Sequence, residues 1–437
     1  MRLIAGVAAM VLGLAGAGAD ERGPVTVAPV VLPHLPLGLV NFASGKAINM
    51  SVSPGAGAFR SRNDPPGRIW TITDRGPSVD CTEERELVGP DGKQLCSGGS
   101  RGRIYLLPGY APSIYAIDMS EKGGRFAEMI VLSGASGKPL TGIANPVTRA
   151  RAEAAVSAEG ETLALDPSGV SPGALVRLAN GTFWVADNYG PSLLEVAAGG
   201  KVLRRLVPGA LAEDYRGADY PVEAVLPDIL SLRQVGRGFE GLAVSADETV
   251  LYAAMQSAVM NPDIAAYRAS PAVRILKIDR ASGRTLAQYL YRLDTPGEFY
   301  GEDTVATRII RQSDVRITEI AALEDGRLLV IERLRNLTRI YRIDPASAEP
   351  LPPPLLEAGT TPALETAPPE GWPALGARPM EKTTIFHSGP GRMLGSRLNG
   401  MAVLSDREIA VIANNDFGID GSRTQMFRLT FPASVLK

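Results

Sequence analysis

Histidine and cysteine are almost missing from this 437-residue chain, which holds two of each. With only His34 and His387 available, a zinc centre built on imidazole is disfavoured. Charge of one sign is missing too: 45 basic and 47 acidic residues are interspersed to a net −2, with no basic stripe or acidic tail, so nucleic acid is not an expected partner. Beyond the first residues no stretch holds eighteen uninterrupted apolar side chains, which excludes an internal membrane span. Of the known catalytic signatures, neither an H-E-x-x-H helix nor a P-loop is found, and no α/β-hydrolase nucleophile elbow is expected.

What is present begins with an export signal. Arg2 precedes an apolar run from Leu3 to about Gly16, and Ala17-Gly18-Ala19 leads into Asp20, so residues 1–19 read as a secretory leader. The remainder is expected to be soluble and periplasmic or extracellular, without stable membrane insertion, and monomeric. Cys81 and Cys96 flank a stretch dense in turn formers, and in an oxidising compartment they are expected to close one local disulfide loop; two unpaired thiols are the alternative.

Few stretches keep a 3.6-residue apolar period, whereas short runs of β-branched, Leu and aromatic residues recur between Gly, Pro, Asn and Asp. The best helical candidate is 147–157 (VTRARAEAAVS). Four copies of one degenerate unit stand out: ALVRLANGTFWVADNYG at 174–190, EGLAVSADETVLYAAMQS at 240–257, TEIAALEDGRLLVIERLR at 318–335 and NGMAVLSDREIAVIANND at 399–416. A looser fifth copy ends in RIWTITDRGP at 68–77. Each reads as a strand, a turn carrying Asn or Asp, a second strand and a polar end, and further strand pairs follow, as at 192–207 and 274–293. Four strands per unit predict an all-β fold: a single β-propeller domain over residues 20–437 with six four-stranded blades, five or seven being the alternatives. The run at 25–32 is the candidate for the strand that closes the ring. Residues 349–380, rich in Pro, are expected to form an inserted surface loop or lid.

In an antiparallel hairpin the start of the first strand lies beside the end of the second, so polar residues at those places share one face. The starts supply Glu240, Glu319 and Asn399; the ends supply Asp74, Arg75, Asp187, Asn188, Tyr189, Gln256, Ser257, Glu332, Arg333, Asn414, Asn415 and Asp416. Such a funnel predicts a small, anionic substrate. Glu240, Glu319 and Asp187 are candidate catalytic groups, and Arg75, Arg333, Tyr189 and Asn188 candidate substrate ligands. Asp74, Glu240, Glu319, Glu332, Asn399 and Asp416 supply the carboxylate and amide oxygens that suit a hard cation such as calcium, which would polarise an ester and activate water. For most of these residues turn capping is the alternative role. Glu240 and Glu319 stand out because each begins an apolar strand where no turn demands a carboxylate.

At ITDRGP (72–77), FWVADNYGPSLLEV (183–196), GFEGLAVSADETVLYAAMQS (238–257), ITEIAALEDGRLLVIER (317–333) and LNGMAVLSDREIAVIANNDFG (398–418) the chain resembles the secreted phytase-like proteins named for the esterase-like activity of phytase. The resemblance implies a β-propeller that hydrolyses phosphoric monoesters such as phytate, with calcium. Asn399 stands where many relatives show Glu, and Leu334 where an Asp commonly follows Glu332-Arg333, which removes two potential metal ligands. A non-catalytic binding propeller and a metal-dependent lactonase or carboxylesterase are the competing expectations.

Overall fold

The computed structural model describes residues 24–96, 102–147, 153–300, 310–389 and 392–436; the leader read at 1–19 lies outside the described residues. Alternating apolar residues and tight Asn/Asp/Gly turns produce the hairpins they predict, and these pair onward into five antiparallel sheets. Sheet I holds Pro54–Phe59, Arg68–Thr73, Ser113–Ser120 and Gly123–Val131. Sheet II holds Pro172–Arg177, Phe183–Asp187, Ser192–Val196 and Val202–Pro208, with Val222–Leu226 added parallel at its edge. Phe239–Val244, Val250–Met255, Ala272–Asp279 and Thr285–Arg292 form sheet III, and Arg316–Ala322, Leu328–Leu334, Leu337–Ile343 and Lys382–His387 form sheet IV. Sheet V runs Leu398–Val403, Glu408–Ala413, Gln425–Thr430 and finally Thr26–Val30, so the expected N-terminal strand does complete the last sheet.

The first strand of each sheet packs against the first strands of the sheets before and after it, and the first strand of sheet V returns to that of sheet I. These strands approach closely. A Cβ on Gly57 would lie 2.7 Å from the Ala174 Cα, and one on Gly241 2.9 Å from the Ile320 amide nitrogen, so glycine is required at both places. Every first strand also carries a register irregularity near its start, and in sheets III, IV and V it leaves Glu240, Thr318 and Asn399 unpaired.

Six blades were expected; among the described residues five such sheets are present, four of them four-stranded and sheet II with a fifth strand at its edge. The short strands before residue 172 that lie outside sheet I pair with one another. Ser78–Asp80, Gly102–Tyr105 and Ala154–Ser157 form a separate sheet, and Pro36–Asn41 pairs with Ala47–Ser51. Phe42, Ile48, Val79, Val88, Ile104 and Tyr110 bury a small core there together with Phe417 and Ile419, from the connection between Glu408–Ala413 and Gln425–Thr430 of sheet V. The Cys81–Cys96 disulfide forms within this unit, around two short helices, Glu84–Leu87 and Pro90–Leu95.

Part of the helix expected at 147–157 lies outside the described residues, and the remainder, Ala154–Ser157, is a strand paired in parallel with Gly102–Tyr105. Tertiary pairing has overridden the alanine propensity. The Pro-rich stretch 349–380 folds as 3₁₀ turns whose Leu351, Leu355, Leu364 and Trp372 pack on Ala272 and Leu290 of sheet III. Leu351 and Met380 donate backbone hydrogen bonds to Gln288 and Leu290, and Glu365 pairs with buried Arg274 at 2.9 Å. The stretch thus covers an otherwise open sheet edge.

Candidate functional site

The starts of the first strands and the ends of the second strands open on one face, as the hairpin geometry requires. Glu240 sits at the irregularity that opens sheet III, 3% exposed. One carboxyl oxygen accepts from Asn188 Nδ2 at 3.0 Å and the other from Gln256 Nε2 at 2.8 Å. Burial pushes its pKa up to about 7, nearby Asp74 adds to the rise, and the two amide donors oppose it. Asn188 is itself held: its Oδ1 accepts from Ser171 Oγ at 2.8 Å, and that hydroxyl also lies 3.3 Å from Asp74 Oδ1. Asp74, half-buried, takes the Arg75 amide at 2.6 Å. Asp416 pairs loosely with Arg397 at 3.5 Å; burial and Asp74 raise its pKa while Arg397 pulls it down. Asn399 occupies in sheet V the place that Glu240 has in sheet III, and its Oδ1 is buried without a partner.

Most of the other expected site residues lie elsewhere, each for a definable reason. Asp187 is fully buried: one oxygen accepts from Arg205 Nη2 and the Ser171 amide, the other from the Tyr189 and Gly190 amides, so it anchors a turn and carries no free lone pair toward the funnel. Glu332 points away from the funnel because adjacent strand residues face opposite sides, and Arg333 takes the funnel side. Tyr291, Lys382 and the Asp294 amide surround the Glu332 carboxyl. Arg75 is engaged by Glu153, the Gly142 carbonyl and the Tyr105 hydroxyl, with the buried Tyr189 ring 5.2 Å away.

Glu319 aligns with Gly241, not with Glu240, since Thr318 is the unpaired residue of sheet IV. Its oxygens accept from Ala58 N at 3.3 Å, Leu242 N at 3.4 Å and Ile320 N at 3.0 Å. Sheets I and III are not neighbours in the ring, so a side chain from sheet IV that reaches both occupies the axis. Burial holds its pKa well above the usual carboxylate range. Glu319→Ala, which orphans three amides, is therefore expected to lower the unfolding free energy by at least about 2 kcal/mol in urea titration, whereas Glu319→Gln costs much less.

Positive charge reaches the funnel from Arg333, which the sequence singled out, and from Arg316, which it did not. Arg316 opens sheet IV directly opposite Arg333 in register. Among the described residues, the half-buried Arg316 has no hydrogen-bond or ion-pair partner. Arg333, 9% exposed, donates Nη1 to the Ser396 carbonyl and leaves Nε without a partner. Burial lowers the Arg333 pKa to about 10; Glu240 opposes this and Arg237 and Arg397 reinforce it. Arg316 is lowered well below its usual value by burial and by Arg237 and Arg333, against Glu240. The arginine at the start of the repeat copy was visible in the sequence, but only the register shows that it faces Arg333.

The string Gly169-Val170-Ser171-Pro172-Gly173 has G-x-S-x-G spacing, yet it leads into a strand rather than a helix, so it is no nucleophile elbow. The calcium set expected from the sequence is not assembled either. Glu319 is on the axis, Glu332 faces away, and among the described residues no three His, Cys, Asp or Glu side chains converge as a metal would require.

The described residues are therefore mostly β, with five of their sheets around an axis and, at one end of it, a buried acid among guanidinium and amide groups. The chain belongs to the phytase-like family described as "esterase-like activity of phytase", whose model matches residues 58–417. An uncharacterized secreted protein of Arthroderma benhamiae is 29% identical over 198 residues, 42% of this chain and 36% of that protein, so the match spans about a third of that relative's length. Among solved structures, a calcium-binding regucalcin from Agrobacterium tumefaciens has a TM-score of 0.33 at 9% identity, covering 87% of this chain and 94% of that one. Virginiamycin B lyase from Staphylococcus aureus gives 0.30 at 12%, covering 91% and 100%. These two likenesses are too distant to bear on activity. No helix among the described residues is long and apolar enough to cross a membrane.

Proposed function

We propose that the five sheets are the blades of a five-bladed β-propeller and that its funnel hydrolyses phosphoric monoesters of a small organic substrate. Glu240 is the general base: its carboxylate takes a proton from a water as the water oxygen bonds to phosphorus, the ester P–O bond breaks, and the departing alkoxide is protonated by solvent. Asn188 and Gln256 fix the carboxyl, and Arg333 offers positive charge to the phosphoryl oxygens. The observation that carries this reading is the Glu240 carboxyl, with a pKa of about 7 beside arginines that lack a carboxylate hydrogen-bond partner. Family membership supports ester hydrolysis as the class of reaction. Export is supported by the leader read at 1–19, the disulfide and the secreted relative.

A second reading, a propeller that binds without catalysis, is favoured by the structural engagement of Asp187, Glu319 and Glu332. One assay separates the two: the purified protein is offered a phosphomonoester, a lactone and a carboxylic ester, with calcium and with chelator. Turnover of the phosphomonoester that persists in chelator is expected. Turnover confined to the lactone or carboxylic ester, turnover lost on chelation, or no turnover of any of the three overturns the proposal.

A further inference from the structure

Like charges placed directly across an antiparallel pair, about 5 Å apart at Cβ, destabilise the sheet, and Arg316 and Arg333 occupy such a pair. Of the other buried arginines among the described residues, three pair with a carboxylate, and Arg233 is held by the Tyr189 and Ser231 carbonyls. Arg205 has Asp187 at 2.8 Å, Arg274 has Glu365 at 2.9 Å and Arg75 has Glu153 at 3.1 Å. Among the described residues neither Arg316 nor Arg333 has a carboxylate within hydrogen-bond distance, and these two face each other across the sheet. Arg333 keeps a buried, unpartnered Nε, and Arg316 has no partner among the described residues. Arg237 and Arg397 bring more positive charge nearby. Arg237 donates to the Gln256 amide oxygen rather than to an acid, and Arg397 is drawn outward to Asp420 at 2.9 Å. Among the described residues Glu240 is the acid whose charge offsets the pair, and its carboxyl is held by Asn188 and Gln256.

We infer that Arg316 and Arg333 form a two-guanidinium site for an oxyanion of the phosphate class, which supplies the missing negative charge. Two forks with several N–H donors suit an anion that presents three or more oxygens and a double charge; a singly charged carboxylate would leave one guanidinium uncompensated. The inference deepens the proposed hydrolase reading by naming the group that anchors the substrate. Binding can nevertheless be read without any turnover.

The test is calorimetric titration of inorganic phosphate and, separately, of phenyl phosphate into the Glu240→Gln protein, with acetate as the comparison anion and thermal unfolding in parallel. Both phosphates are expected to bind, more tightly than acetate, and to raise Tm. Arg316→Gln and Arg333→Gln, each added to Glu240→Gln, are expected to weaken phosphate binding about tenfold or more. Without any anion, Arg316→Gln is expected to unfold at a Tm no lower than its parent, because it removes a repulsion; this distinguishes a lost ligand site from a damaged fold. Phosphate binding unchanged by both arginine substitutions overturns the inference, as does acetate binding as tightly as phosphate. Binding of inorganic phosphate without phenyl phosphate would also overturn it as a substrate anchor. If phosphate binds as expected while the wild-type protein hydrolyses no phosphomonoester, the site stands and the hydrolase reading fails.

Discussion

Arg205→Met is expected to lower the unfolding free energy by about 3 to 5 kcal/mol at neutral pH, because it strands the Asp187 carboxylate in the interior. Both side chains are 0% exposed. Arg205 reaches Asp187 at 2.8 Å, Ser192 Oγ, the Gly169 carbonyl and the Tyr220 hydroxyl at 2.9 Å each, and lies 4.2 Å over the Tyr215 ring. Asp187 in turn gathers the amides of Ser171, Tyr189 and Gly190, which set the turn that delivers Asn188 to Glu240. The same substitution should therefore reduce activity by loosening Asn188. Urea unfolding of Arg205→Met and of the Arg205→Met/Asp187→Leu double variant measures the effect. The double variant is expected to regain a large part of the loss, since no uncompensated charge remains buried. A single-variant change below about 1 kcal/mol would show that the pair is not the keystone described.

Glu240→Gln is expected to reduce kcat on a phosphomonoester by about 10²- to 10⁴-fold, the range for loss of a positioned general base. For the wild type, kcat/KM should rise with pH through about 7 as the carboxyl ionises. Stability should move the other way. The folded pKa of about 7 lies above the ordinary 4.5, so the folded state holds the extra proton between those values. Stability attributable to this group is full below about 4.5 and falls as pH rises through 7. Glu240→Gln should remove that part of the pH dependence of unfolding. Rates that stay at wild-type level, or that fall with pH through 7, would remove Glu240 from the role of base.

The hairpins were legible in the sequence because alternation and turn chemistry are local: 240–257, 318–335 and 399–416 fold as read, and so does the closing strand. The sheet count was not, because the short strands at Ser78–Asp80, Gly102–Tyr105 and Ala154–Ser157 find partners that composition does not reveal. At the site, the face was legible and the parity was not. Neighbouring residues diverge by half a turn of the pleat, so Arg333 enters the funnel while Glu332 leaves it, and Asn188 enters while Asp187 is buried. One added residue at each irregularity shifts that parity, which is why Glu319 lies on the axis and Thr318 matches Glu240. Aligning EGLAV with TEIAA in the sequence would have shown the offset.

The seam between Thr26–Val30 and Gln425–Thr430 joins segments separated by about 400 residues. The earlier segment must wait, unpaired, for the later one, and until they meet the outer edge of Gln425–Thr430 lies open to any passing strand. A chain cut short before Gln425 has no seam to make. Closure thus acts as a check on completeness, since only a molecule carrying both ends of the seam can seal the ring that the funnel depends on.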